Sequence, residues 1–362
     1  EEFEYVYARC VDAYKNGVLK VVEEVGAKEL WKKVMRVQFE TGMPYITWID
    51  ELNRHNPNKH EGMIPCLNLC VESSSVVTEK YDHTCNIASV VVGRVPFDEL
   101  AKYAAITTHI LDNGIALTKP PTEESKNHNE RFRTIGVGVQ GLADILAREN
   151  VSWNNEEYIS AVFEEIQLGC VQESVQLAKE RGAYPAFKGS DWDNGVRISN
   201  FAKWSKKPDV WMKLQQEIDV YGIRNSQTTS PAPNTSTSIA MDAGAGVMPV
   251  YAAFFYEDNK DGSIPVSAMH LKQNPLHYSR DVRKFDPSHL TKVVGWAQRF
   301  VDTSISAEYV MDKNNPQFTA KVLWDTLENS WKNKNKAVYY IRTIKKGEVL
   351  VQGAESCVAC AG

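Results

Sequence analysis

The chemistry in this chain is concentrated in the run Pro65-Cys66-Leu67-Asn68-Leu69-Cys70-Val71-Glu72, which sets an amide, a thiol and a carboxylate at alternate positions. In an extended segment alternate side chains share one face, so Asn68, Cys70 and Glu72 are expected to converge on one substrate. A thiol is an unusual choice for metal-free acid/base work, but as a thiyl radical it can abstract hydrogen from carbon and return it. Glu72 could then take the proton of a neighbouring hydroxyl, and the Asn68 amide could hold a second one. Spacing alone favours a plainer reading, a buried strand with one core cysteine and two incidental polar residues.

Other segments carry chemistry with plainer readings beside it. Pro233-Asn234-Thr235-Ser236-Thr237-Ser238 precedes an apolar Ile239-Ala240-Met241 and reads as a loop feeding a helix, where N–H groups and hydroxyls favour an anion. An ordinary capped helix looks the same. Tyr339-Tyr340 lies on an apolar run read as a strand, where neighbouring rings point to opposite faces and serve as packing. Cys357-Val358-Ala359-Cys360 lacks the second ligand pair of a zinc site and the βαβ context of a thioredoxin motif, which leaves a dithiol on a tail. Gly136-Val137-Gly138-Val139-Gln140-Gly141 matches dinucleotide-binding spacing. The residues before it are polar, so the required strand is missing, and Glu156 and Glu157 sit at a helix start instead of a strand end. These glycines read as allowing close helix packing.

Taken in order, these motifs resemble the class I ribonucleotide reductase large subunit. Asn68-Leu69-Cys70-Val71-Glu72 is similar to its finger-loop signature, and Thr84-Cys85-Asn86-Ile87-Ala88-Ser89 to its Cys-Asn-Leu-Ala-Ser stretch. Leu111-Asp112-Asn113, the run from Ile135 to Asp144, the 233–238 segment, the tyrosine pair and the terminal dithiol follow in the family's order. The resemblance implies a ten-stranded α/β barrel of two antiparallel halves with the finger loop through its centre. This chain would hold that loop and the second half-barrel. Residues 1–60 would be a helical segment joining the barrel, and 61–242 the barrel with its finger and phosphate-binding loops. Residues 243–325 would be a small α/β insertion, 326–348 the last strand with the tyrosine pair, and 349–362 a mobile redox tail.

The same resemblance implies residue roles. Cys70 would take the 3'-hydrogen of a ribonucleoside diphosphate, Glu72 the 3'-hydroxyl proton, and Asn68 would orient the ribose hydroxyls. Pro233, Asn234, Thr235, Ser236, Thr237 and Ser238 would hold the diphosphate without a lysine or a metal. Tyr339 and Tyr340 would pass an oxidising equivalent from a small subunit, of diiron-tyrosyl type, to Cys70. Cys85 would be one of the two redox-active active-site cysteines, its partner lying in a missing N-terminal half. The Cys357/Cys360 tail would re-reduce that pair and be reduced in turn by thioredoxin or glutaredoxin. No cofactor bound directly to this chain is expected. The competing reading is a non-catalytic module of the same barrel that only binds nucleotide or a partner.

Composition suits a cytoplasmic enzyme. The chain has 362 residues and a net charge of -5, and no apolar run approaches the ~20 residues that span a bilayer. Neither membrane nor nucleic acid is implied as a partner. Seven cysteines at irregular spacings, with no secretory signal, point to reduced thiols. Glu1-Glu2-Phe3 lacks an initiator Met, which with the resemblance suggests a C-terminal half, inactive alone.

The elements that must position these residues are partly legible. Leu30, Val34 and Val37, with Trp31 and Met35, form an apolar stripe that predicts a helix ending near Gly42. Ile159, Val162, Phe163, Ile166 and Cys170 predict a second helix, stopped by Gly182 and Pro185, with Cys170 in the core. Ala88–Val92 and Val338–Ile341 read as buried strands, and their alternation with helices predicts an α/β architecture. Lys332-Asn333-Lys334-Asn335-Lys336 reads as a solvated turn, Cys66 as structural, and Cys10 has no assigned role.

Overall fold

The computed structural model describes residues 2–20, 22–259 and 262–344. Its first part runs α1 (Glu2–Lys15), α2 (Ala27–Thr41), β1 (Ile46–Thr47), α3 (Ile49–Arg54), β2 (Ile87–Val91), α4 (Leu100–Leu117) and α5 (Glu123–Phe132). The centre holds β3 (Gly136–Gln140), α6 (Leu142–Arg148), α7 (Glu156–Arg181), α8 (Val196–Trp204), α9 (Pro208–Tyr221) and α10 (Thr235–Ala240). The last part runs β4 (Phe254–Asn259), β5 (Gly262–Ser267), α11 (Pro287–Gln298), β6 (Tyr309–Asp312), α12 (Ala320–Lys332), β7 (Ala337–Val338) and β8 (Ile341–Ile344).

The two helices expected from apolar periodicity form where their stop signals place them. Gly42 ends α2 in the left-handed region at φ 83°, its N–H on the Gln38 carbonyl. The Asn155 side chain caps α7 by accepting from the Tyr158 N–H, and Gly182 closes it. Ile159, Val162, Phe163, Ile166 and Cys170 lie in the main core, which also takes residues from β2, β3, α4, α9 and α11. α4 packs along α7 so closely that a Cβ on Gly169 would strike the Ala101 carbonyl.

The architecture is mixed α/β, built around parallel extended chains. β2 and β3 pair in parallel from Ile87↔Gly136 to Val91↔Gln140. β3 then bonds the 227–230 segment through Ile135 N–H to Gln227 O (3.1 Å), Val137 N–H to Thr228 O (2.7 Å) and Ser230 N–H to Val137 O (3.0 Å). That segment bonds the next one through Thr303 N–H to Thr229 O (3.3 Å) and Ser306 N–H to Pro231 O (3.0 Å). β6 and β8 form a further parallel pair, while β1 and β7, like β4 and β5, pair antiparallel. Among the described residues each named sheet has two strands and none closes on itself, so the expected ten-stranded barrel is not formed by this chain's ladders.

Three expectations change. The glycine run is itself the buried strand β3: a Cβ on Gly136 would collide with Ser230, and one on Gly138 would lie 2.6 Å from Ser89 Oγ. The glycines therefore admit neighbouring extended chains, not a helix. The segment 243–325 divides. β4 and β5 form a hairpin, whereas Leu290, Val293, Val294 and Ala297 of α11 and Tyr309 and Met311 of β6 enter the main core. The polar run before the tyrosines is not wholly solvated, because Asn335 and Lys336 are buried at 0% and 1% exposure.

Candidate active site

The segment carrying Asn68, Cys70 and Glu72 is a tight loop, not a strand. Asn68 N–H donates to Ser73 O (3.0 Å) and Val71 N–H to Asn68 O (3.0 Å), with Val71 in the left-handed region at φ 60°. The Asn68 side chain closes the loop, Oδ1 accepting from Ser73 N–H (2.9 Å) and Nδ2 donating to Glu72 Oε1 (2.8 Å). Asn68 and Glu72 thus meet through local hydrogen bonds and not through strand alternation. Sequence reading missed the residues that anchor this loop. The Glu72 carbonyl accepts from Ser230 Oγ (3.0 Å), Thr303 Oγ1 (2.6 Å) and Ser304 N–H (3.0 Å), and Ser306 Oγ donates to the Cys70 carbonyl. Their signal was the hydroxyl-rich runs Ser226–Ser230 and Thr303–Ser306, which are buried throughout.

Glu72 is buried, and burial pushes its carboxyl above the ordinary value despite the bond from Asn68. Its Oε2 has no hydrogen-bond partner among the described residues. Cys85 is exposed on one side, yet loss of solvent on the other, and then the negative charge of Glu72, raises its thiol, and contacts with Ser73 and Asn68 oppose the rise. Cys85 therefore lies against Asn68 and Ser73, the residues that close the loop bearing Cys70. Ser73 Oγ also meets His83 Nε2 at 2.7 Å, and burial lowers His83 to about 4, so that ring is neutral at physiological pH.

Cys70 is half-buried and packs with Tyr339, Tyr340, Tyr45 and Leu67 around Val71 and Ala337. Burial and then a hydrogen bond with Cys70 raise the Tyr339 phenol. The tyrosine pair sits in the break between β7 and β8 and not on one continuous strand. That break lets adjacent rings lie side by side, with centroids 4.4 Å apart. Tyr45, which sequence reading did not single out, stands 4.8 Å from Tyr339 and 5.0 Å from Tyr340. A Cβ on Gly42 would lie 3.0 Å from the Tyr340 ring, so this glycine both caps α2 and leaves room for the pair.

The 233–238 segment turns at Asn234 (φ 57°) into the short α10. It joins the rest through Ser89 Oγ donating to Asn234 Oδ1 (3.1 Å) and Asn234 Nδ2 donating to Val139 O (3.3 Å). Ser89 belongs to β2, which starts two residues after Cys85, so one strand links the two regions. Ser236 and Thr237 are exposed, while Thr235 and Pro233 are half-buried. Ser238 is buried, its hydroxyl donating to Thr235 O (2.7 Å), so it faces inward. Cys170 is sealed in the core, Cys10 and Cys66 are exposed, and Cys357 and Cys360 lie outside the described residues. Among the described residues no group of three or more His, Cys, Asp or Glu side chains could hold a metal ion, and no helix is long and apolar enough to cross a membrane.

Residues 1–341 match the family model described as ribonucleotide reductase, barrel domain. The chain is 40% identical, over its whole length, to a Synechocystis protein named ribonucleoside-diphosphate reductase subunit alpha, covering 49% of that relative. A Treponema pallidum protein of the same name is 30% identical over 95% of this chain and 43% of its own length. A Caenorhabditis elegans ribonucleoside-diphosphate reductase large subunit is 30% identical over 75% of this chain. The chain spans about half the length of the first two relatives. A family match over nearly the whole chain, together with 40% identity along all of it, means that this chain belongs to the ribonucleotide reductase barrel-domain family.

Proposed function

We propose that this chain is the catalytic portion of a ribonucleotide reductase large subunit, reducing ribonucleoside diphosphates to deoxyribonucleoside diphosphates by a thiyl-radical mechanism. The observation that carries the reading is the position of Cys70, in contact with the tyrosine cluster and on the same tight loop as Glu72 and Asn68. In the reaction the Cys70 thiyl takes the 3'-hydrogen atom, giving S–H and a carbon radical. Glu72 accepts the 3'-hydroxyl proton, and its unpartnered buried Oε2 is the atom suited to that task. Asn68 orients the ribose hydroxyls. Cys85 and a second cysteine outside this chain give up two electrons and become a disulfide as the 2'-hydroxyl leaves as water. The exposed Ser236 and Thr237, on the loop of Pro233, Asn234, Thr235 and Ser238, face the diphosphate.

The oxidising equivalent enters through Tyr340 and Tyr339 from a radical-bearing small subunit of diiron-tyrosyl type. The Cys357/Cys360 dithiol re-reduces the Cys85 disulfide and is served by thioredoxin or glutaredoxin. An N-terminal half completes a ten-stranded barrel, with this chain's parallel segments as its second half, and the assembly works in the cytoplasm. The hairpin β4–β5 is what remains of the small insertion.

The test mixes this chain with an N-terminal half and a radical-bearing small subunit and assays CDP reduction with dithiol present, beside a Cys70→Ser control. Turnover that requires both halves and vanishes in the control supports the reductase. Absence of turnover, despite a verified complex and an intact radical, favours a module that binds nucleotide without reducing it.

A further inference from the structure

Lys336 is a wholly buried amine that the scheme above does not use. Its Nζ donates to three consecutive main-chain carbonyls, Val301 (3.3 Å), Asp302 (2.7 Å) and Thr303 (2.7 Å). The segment just beyond those carbonyls holds the catalytic loop, since Thr303 and Ser304 bind the Glu72 carbonyl and Ser306 binds that of Cys70. The main chain of Lys336 leads the other way. Its carbonyl accepts from Trp48 N–H (2.9 Å), and the next two residues pair with Thr47 and Ile46 before the chain reaches Tyr339. One side chain thus ties the segment that carries Tyr339 to the segment that anchors Cys70.

A buried ammonium is costly, and an apolar residue of similar length would fill the space at less cost. What the amine adds is direction: its N–H donors, three when it is protonated and two when it is neutral, burial having drawn its pKa down to about 7, are aimed at three carbonyls and hold two backbone segments in one register. The Asp302 carboxylate beneath does not compete for them. It is committed to Arg197, to Thr228 N–H and Oγ1 (2.8 Å each) and to Gln167 Nε2 (3.1 Å).

We propose that Lys336 is a positioning residue for radical transfer, setting the separation between the Tyr339 phenol and the Cys70 thiol. The inference rests on the reductase reading. In the step concerned, a Tyr339 phenoxyl radical regains one electron and one proton from Cys70 S–H, giving the phenol and the thiyl. That transfer is made across a hydrogen bond, so a small loosening of the two segments slows it and leaves diphosphate binding unchanged.

In the assembled enzyme, Lys336→Met is expected to lower kcat by roughly 10–100-fold while KM for CDP stays within about twofold. Lys336→Gln, which keeps two N–H donors, falls between it and the parent. With 3-aminotyrosine at position 339, the trapped radical still forms in the Lys336→Met background, because the hole still arrives from Tyr340. A kcat unchanged in both variants overturns the inference, as does loss of the trapped radical and of CDP binding together, which marks a merely structural role. A second measurement needs no turnover. On this chain alone, iodoacetamide should label Cys70 severalfold faster in Lys336→Met, with Cys85 unchanged. Equal Cys70 rates overturn the inference even if the reductase assay succeeds, whereas a parent enzyme without turnover counts against the reductase reading instead.

Discussion

The α4–α7 scaffold and the Cys70 loop are held by different forces. Along α7 most of the stabilising contacts are apolar: Ile159, Val162, Phe163 and Ile166 are almost wholly buried and share one core with β2, β3 and α11, and the buried Gln167 adds hydrogen bonds to Thr228 and Asp302. Around the loop they are hydrogen bonds, from Ser230, Thr303, Ser304 and Ser306, to the main-chain carbonyls of Glu72 and Cys70. Burial scales with area and is indifferent to direction, whereas a hydroxyl on a carbonyl fixes position. Damage to the scaffold should therefore unfold the protein, and damage to the loop should misplace its chemistry in a protein that still folds.

The sharpest separation is expected from Tyr340→Phe. Removing one phenolic oxygen should abolish turnover of the assembled enzyme and leave the thermal midpoint in place, and normal turnover would dismiss the tyrosine route. Phe163→Ala should do the opposite. It costs about 3–5 kcal/mol in urea unfolding through the cavity it leaves, with turnover per folded molecule retained. Thr303→Val keeps shape but removes one donor from the Glu72 carbonyl, so stability should fall by only about 1 kcal/mol. Its kcat should nevertheless fall roughly tenfold, because the loop bearing Cys70 and Glu72 shifts. Equal proportional losses of stability and kcat in Thr303→Val would erase the distinction between the two regions.

The smallest effect concerns the charge on Glu72. Burial raises its folded value above the ordinary 4.5, so the folded state holds that proton more tightly than the unfolded chain does. The resulting stabilisation is present at low pH and is lost as pH rises through the folded value. Glu72→Gln removes a buried carboxylate and should raise stability near neutral pH by about 1 kcal/mol, with the gain vanishing below pH 4.5. Parallel melts at acid and neutral pH check this, and a gain independent of pH would contradict it. Any residual turnover of the same variant, which lacks the proton acceptor, should show no rise with pH on the acid side.

The contrast between the regions also explains which parts were legible. The helices α2 and α7 are encoded locally, in the periodicity of Leu30, Trp31 and Val34 or Ile159, Val162 and Ile166 and in the stops Gly42 and Gly182. Cys170 was legible as core for the same reason. Tyr45 was not, because its partners Tyr339 and Tyr340 are almost the whole chain away. Lys336 looked like part of a polar turn, yet it is buried against carbonyls 33 to 35 residues earlier in sequence.

By itself, the order of residues determined the chemistry on offer, the family and the helical stripes, because these depend on side-chain type and short spacing. Only the tertiary structure decided that Asn68, Cys70 and Glu72 form a loop and not a strand face. It also decided that Cys85 meets that loop and that the tyrosine rings lie side by side in a strand break. The physical reason is that Asn68 closes the loop locally, but the loop is held in place by hydroxyls more than 150 residues distant, Ser230 and Thr303 on the Glu72 carbonyl and Ser306 on that of Cys70, which no local pattern records.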